Sequence, residues 1–336
     1  FREDNSFAIV FLFALVVPLI FVPIFPESYE ALKYPAAMFL MGASTLILLS
    51  RKEIRFHKAT LITLLVFGAL NLISTFFSLD VQNSIIGFYG RYTGSLFFIA
   101  TWILLIVSVW NAVQHNEQKR LAIIKVLFFD ALAISIFGIF QYFGFGYYTG
   151  IVESARYIIP SFVGNQNYYA MFLVAMLPAA FMLWSQAQSR LAKYYFVVSS
   201  AVIVWAIILS GSRGGLVGLG AAFVVFIALV IYRKYSRQFF IGALLVAALS
   251  AVLYFGFFAS TRTDTVGGVS SNAQYTAQSR YMVWNKSWVI IKNNPLLGAG
   301  PVNFFIPFQM MGTTDQNNTE RFDDAHNMLI NMAVTV

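Results

Sequence analysis

The sequence predicts an all-α polytopic membrane protein, a bundle of transmembrane helices, and three observations carry that prediction. Apolar residues make up 59% of the 336-residue chain and charged residues only 11%, with a mean hydropathy of +0.72; soluble domains carry roughly twice that charge. The apolar residues gather into repeated runs long enough to cross a bilayer, which takes about 17–25 residues. Cations cluster in alternate connections between those runs, as the positive-inside rule requires.

The runs fall at 7–25, 35–50, 59–77, 95–112, 121–143, 168–184, 195–209, 216–232 and 239–258, and a tenth opens at Met328 and stops with the chain. Each is too long and too uniformly apolar for a strand, and open-edged strands cannot satisfy their backbone groups in lipid. Residues 1–258 therefore read as a transmembrane bundle of nine helices. Residues 259–325 read as a long external loop with an amphipathic helix, and 326–336 as the start of a tenth helix. The first run lacks a small-residue cleavage site and is read as a retained helix, not a signal peptide. The start at Phe1 and the unfinished last helix read as a fragment of a longer protein.

Charge placement sets the expected topology. Thirteen of the 22 Lys and Arg residues sit at the N-terminus or in even-numbered connections: Arg2; Arg51, Lys52, Arg55 and Lys58; Lys119, Arg120 and Lys125; Arg190 and Lys193; Arg233, Lys234 and Arg237. Those connections are expected in the cytoplasm with the N-terminus, and the opposite face, with the 259–325 loop, outside a bacterial inner membrane. The net charge of +8 is thus a topogenic signal with some attraction to anionic headgroups, and no nucleic-acid motif accompanies it. The absence of cysteine excludes disulfides, a thiol nucleophile and thiolate metal sites.

Four external clusters carry the chemistry. SGSRGG, 210–215, joins two helices with almost no loop, and no Asp or Glu occurs between Glu153 and Asp264. Arg213 is therefore read either as an anion ligand or as an arginine reaching lipid phosphates at the interface. In SRYMVWNKSWVIIKNNP the spacing puts Tyr281, Trp284, Trp288 and Ile291 on one stripe of a helix lying on the bundle or the membrane, with Arg280 at its edge, pointed inward or solvated. LLGAGPVNFF, 296–305, reads as a tight packing turn; it lacks the third glycine and the strand-to-helix setting of a dinucleotide fingerprint. In DDAHNMLINM a carboxylate, Asp323 or Asp324, is expected to cap the last helix, with His326 in its first turn, where a helix N-terminus favours the neutral imidazole that accepts a proton. His57 and His115 fall in cytoplasmic loops, which leaves His326 the sole external base. Asp130, midway through the fifth run, is read with Asn71 and Gln141 as interhelical hydrogen-bonding groups.

These motifs, in this order, resemble the bacterial O-antigen ligase and polymerase superfamily, which includes membrane oligosaccharyltransferases. The resemblance rests on FSLDVQNSIIGFYGRYTG, GNQNYYA at Gly164, SGSRGG, the arginine-tryptophan helix with PLLGAG, and the HN pair at His326. It implies a helical bundle similar to lipid-dependent glycosyltransferases and transfer of a glycan from an undecaprenyl-pyrophosphate carrier to an acceptor hydroxyl, without cofactor or metal. The acceptor is a glycan, a lipid A core or a protein. By motif it places His326, Arg213 and Arg280 as catalytic, and Arg91, Asn165, Asn167, Trp284 and Asn327 as substrate-binding. A neutral His326, oriented by Asp323 or Asp324, suits the role of general base toward a sugar hydroxyl. Two forked guanidiniums suit a departing pyrophosphate. One base and no neighbouring carboxylate nucleophile point to inversion by a single displacement. A lipid-linked glycan transporter or flippase is the competing class; it would require charge or broken helices near the midplane, where only Asp130 qualifies.

Overall fold

The computed structural model of the chain describes residues 5–22, 29–88, 92–145, 161–234, 263–266, 269–311, 324–325 and 327–336; for 226–234, 263–266 and 269–279 it describes the backbone alone. The helices are α1 (Asn5–Val16, continued by a 3-10 turn, Val17–Leu19), α2 (Lys33–Ser50), α3 (Lys58–Phe76), α4 (Val81–Ile86), α5 (Leu96–Val113) and α6 (Glu117–Tyr142). There follow α7 (Gln166–Gln186), α8 (Arg190–Leu209), α9 (Arg213–Lys234), α10 (Ala273–Asn293), α11 (Phe305–Met310) and α12 (Met328–Thr335).

Among the described residues six helices, α2, α3 and α5 to α8, are long and apolar enough to cross a membrane. The first expected run appears as the shorter Asn5–Leu19, the eighth falls within the 22 residues of α9, and the run at 239–258 lies outside the described residues. Phe39, Leu46, Leu65 and Leu191 stand largely exposed on these helices. Water would penalise that surface, whereas hydrocarbon solvates it. The protein is thus an all-α multi-pass membrane protein with one β element that periodicity did not reveal. Strands β1 (Thr263–Val266) and β2 (Val269–Asn272) pair antiparallel, Thr263 opposite Asn272 and Val266 opposite Val269. The Gly267–Gly268 pair between them is a hairpin signal too short to register beside the apolar runs.

The chain forms two compact units, one of Phe1–Phe13, Glu30–Glu117 and Gln274–Val336, the other of Ala14–Tyr29 and Gln118–Ala273. In the first unit small hydroxyl residues join the spans: the Ser6 and Ser44 hydroxyls lie 2.8 Å apart, and those of Thr45 on α2 and Ser108 on α5 lie 3.0 Å apart. Such contacts matter where lipid removes the hydrophobic drive for helix association. In the second unit Phe128, Ala131 and Ile134 of α6 interlock with Tyr169, Leu173 and Ala180 of α7 and with Ile203, Ala206 and Ile207 of α8.

Among the described residues the three polar groups expected to join helices do not pair across them. Asn71 turns its amide back to Phe67 O of its own helix at 2.8 Å, because an i−4 carbonyl lies within reach of any helical Asn. Gln141 Oε1 accepts from Ser161 N, 2.8 Å away, and so fixes the turn before α7. Asp130 is 1% exposed, and its Oδ2 has no hydrogen-bond partner among the described residues.

Candidate functional site

In the second unit, SGSRGG and GNQNYYA meet. Only Ser210, Gly211 and Ser212 separate α8 from α9, a reversal tight enough to need Gly211 at φ +66°. The two serines then organise the helix start. Ser210 Oγ donates to Ile207 O at 2.6 Å and accepts from Ser212 N at 3.2 Å. Ser212 Oγ caps α9 by accepting from Gly215 N at 3.1 Å, and it donates to Asn167 Oδ1 at 2.7 Å. Asn167 in turn donates its backbone N–H to Asn165 Oδ1, the cap of α7, at 2.8 Å. Gly215 lies directly against Ala170, where any β-carbon would collide.

The outcome is that the first turns of α7 and α9 are bonded side by side. The aligned peptide dipoles of two helix N-termini favour an anion there. Arg213 is the first residue of α9 and half-buried, which puts a full positive charge on the residue that opens the helix. Elsewhere in this unit Leu19, Ala133, Ile136, Phe137, Phe140 and Phe162 line an open apolar depression of about 400 Å³.

In the first unit, the elements around the HN pair form a second polar constellation. Val283 and Ile290 of α10 are buried against Phe304, Phe308 and Val334. Of the two expected seats for the stripe, bundle or membrane, Tyr281 and Trp288 do not take the bundle: they face outward, 67% and 60% exposed, while the inward line is Val283, Ser287 and Ile290. The Phe304–Phe308 pair supplied an apolar seat that spacing within α10 alone could not reveal. Trp284 stands between the two faces, donating its indole N–H to Ala325 O at 3.0 Å. Arg280 is exposed, so it does not point inward among the buried residues.

Ala325 N donates to Asn331 Oδ1 at 3.3 Å, and the cap of α12 is Asn327, whose Oδ1 accepts from Leu329 N at 3.0 Å and Ile330 N at 3.3 Å. The cap is therefore the Asn327 amide in place of the expected Asp323 or Asp324 carboxylate, and α12 starts at Met328. Asn327 wins because it is the polar residue immediately before the apolar run, with a side chain of the length that reaches the second and third N–H groups. Asp324 is half-buried. His326, Asp323 and Arg91 lie outside the described residues.

PLLGAGPVN proves to be a docking segment for this constellation. Ser74 Oγ lies 2.8 Å from Leu297 O and 3.0 Å from Thr335 O. Leu79 N donates to Ala299 O at 3.1 Å, and Ala299 N to Val334 O at 2.7 Å. Asn303 Nδ2 donates to Asp80 O at 3.1 Å and to Ser84 Oγ at 2.9 Å, and that hydroxyl donates to Pro301 O at 2.8 Å. Segments 74–84 and 297–303, more than two hundred residues apart, thus hold the C-terminal end of α12. Sequence reasoning missed Ser74, Ser84, Asn303 and Ser212; the available signal was polar side chains inside otherwise apolar or glycine-rich stretches. Among the described residues no group of three or more His, Asp or Glu is placed to hold a metal ion.

Residues 198–336 match the family model described as O-antigen ligase, a segment that contains SGSRGG, the arginine-tryptophan helix, PLLGAG and the HN pair. No curated protein and no solved structure matches the chain.

Proposed function

We propose, from the membership of residues 198–336 in the O-antigen ligase superfamily, that this multi-pass membrane protein is a glycosyltransferase that moves a glycan from an undecaprenyl-pyrophosphate carrier to an acceptor hydroxyl at the outer face of the bacterial cytoplasmic membrane. The family supports a ligase-type activity; the carrier, the acceptor and the side of the membrane belong to this proposal. One observation carries it, the bonding of the α7 and α9 first turns through Ser212 and Asn167 with Arg213 at the head of α9. A pyrophosphate develops negative charge as the glycosidic bond to it breaks, and preorganised N–H groups with a guanidinium stabilise such charge without reorganising. The apolar depression on the same unit suits the hydrocarbon tail that accompanies a lipid-linked donor.

Arg213 and Arg280 hold the pyrophosphate, with Arg91 as a further contact. Asn165 and Asn167 shape the anion pocket, and Trp284 and Asn327 fix the turn that carries His326. His326 takes the proton of the acceptor hydroxyl as its oxygen attacks the anomeric carbon from the face opposite the departing pyrophosphate, which inverts the configuration. No metal enters the scheme. Orientation of His326 falls to Asp323 or Asp324. A polymerase or a protein oligosaccharyltransferase uses the same donor chemistry and differs in the acceptor.

The test is transfer by the full-length protein in proteoliposomes with a lipid-pyrophosphate glycan, offered in turn a lipid A core, a second lipid-linked glycan and a protein acceptor. Arg213→Ala and His326→Ala are expected to abolish transfer while inserting normally. Wild-type rates from either variant, or a product of retained configuration, would overturn the corresponding assignment. Movement of the intact donor across the bilayer with no transfer would favour the flippase class.

A further inference from the structure

Helix α10 presents an outward face on which the proposed glycosyl transfer uses only Arg280 and Trp284. At 100° per residue Tyr281, Trp284, Asn285, Trp288 and Lys292 share one side, opposite the buried Val283, Ser287 and Ile290. Val289 flanks that side, and just beyond the helix Leu296 is 88% exposed. Two indoles, a phenol and two aliphatic side chains leave on the order of 500 Å² of mostly apolar surface in one strip, as much as the largest patch of a typical soluble monomer.

Two further observations identify what covers it. The first is depth. Ser74 Oγ reaches Leu297 O at 2.8 Å and Leu79 N reaches Ala299 O at 3.1 Å, so Leu296 is tied to the C-terminal end of α3, a candidate membrane span. There Phe76 and Phe77 also stand 69% and 72% exposed. The strip therefore runs up to the level where a span leaves the hydrocarbon. The second is charge. Ala273–Asn293 contains no Asp or Glu, and the exposed cations Arg280 and Lys292 bracket the aromatic residues. Tyrosine and tryptophan between cations at the end of a span suit the headgroup layer, where an amphipathic ring finds both an apolar and a wet neighbour.

We infer that the Tyr281–Trp288–Lys292 face of α10 seats in the headgroup layer of the leaflet at which α3 ends, with Lys292 on the phosphates of anionic phospholipid and Leu296 at the acyl boundary. This anchor depends on the protein spanning a membrane and not on the transfer reaction, so either can fail alone.

These 336 residues hold no cysteine, so one introduced thiol, with any cysteine elsewhere in the full-length protein replaced by serine, labels a single place. Full-length Val289→Cys carrying an environment-sensitive fluorophore is reconstituted in phosphatidylcholine vesicles with and without phosphatidylglycerol, and Asn285→Cys serves as a second reporter on the same face. The label is expected to be quenched by headgroup-proximal lipid nitroxides and shielded from aqueous iodide. Lys292→Glu is expected to raise the iodide-accessible fraction about fivefold in phosphatidylglycerol vesicles, the equivalent of about 1 kcal/mol per cation, and to leave it unchanged in neutral ones. Full iodide access without nitroxide quenching overturns the inference. So does protection from both quenchers, which means that protein covers the face, whether a second copy or a partner. A Lys292→Glu effect equal in neutral and anionic vesicles overturns the phosphate contact.

Discussion

Gly300→Ala tests the seat on which α12 is built. The residue sits at φ +96°, a backbone that costs an L-residue about 1–2 kcal/mol. A β-carbon there would also strike the Ser78 side chain and come within 2.8 Å of Ser78 Cα. Ser78 cannot easily step aside, because the adjoining Leu79 N is bonded to Ala299 O at 3.1 Å. Overpacking of this kind costs about 1–3 kcal/mol. Gly144 separates the two effects, since it has a similar φ of +89° with nothing within 4 Å of its would-be β-carbon. Gly144→Ala therefore carries the backbone cost alone, and the difference between the variants isolates the collision. Thermal unfolding of the solubilised full-length protein, followed by size exclusion in one detergent, should place Gly300→Ala about 4–8 °C below Gly144→Ala if the collision costs about 2 kcal/mol. Ser78→Gly in the Gly300→Ala background should recover most of that gap. Equal melting of the two alanine variants, or no recovery with Ser78→Gly, would refute the close approach of these segments.

Ser212→Ala removes a hydroxyl that bonds both Asn167 and Gly215, and should cost about 1–3 kcal/mol; the double variant with Asn167→Ala should lose less than the sum of the singles, a coupling that a thermodynamic cycle measures. Trp284→Phe keeps the ring and deletes the N–H donated to Ala325 O; a lost bond of about 1 kcal/mol predicts roughly a fivefold fall in kcat with donor KM unchanged, and a change in KM alone would place Trp284 at the donor. Thr45→Val should weaken the α2–α5 contact by about 0.6 kcal/mol, up to about 1.7, read as a small drop in unfolding temperature with transfer unaffected.

The sequence by itself determined the class of the molecule, because bilayer-length apolar runs and alternating cation clusters are local quantities that a bilayer acts on directly. It also singled out short motifs, of which SGSRGG, GNQNYYA and PLLGAG lie at helix ends, where backbone groups without helical partners concentrate. Tertiary structure alone decided how those motifs combine. Whether Trp288 faced a bundle or the outside depended on where Phe304 and Phe308 lay, and the cap of α12 depended on which side chain had room to reach its N–H groups. The Ser74–Leu297, Asn303–Ser84 and Ser212–Asn167 bonds join residues that no periodicity relates. Hydrophobic pattern reports the medium each residue meets; the partner of a buried polar group is set by contacts distant in sequence, and only folding brings those together.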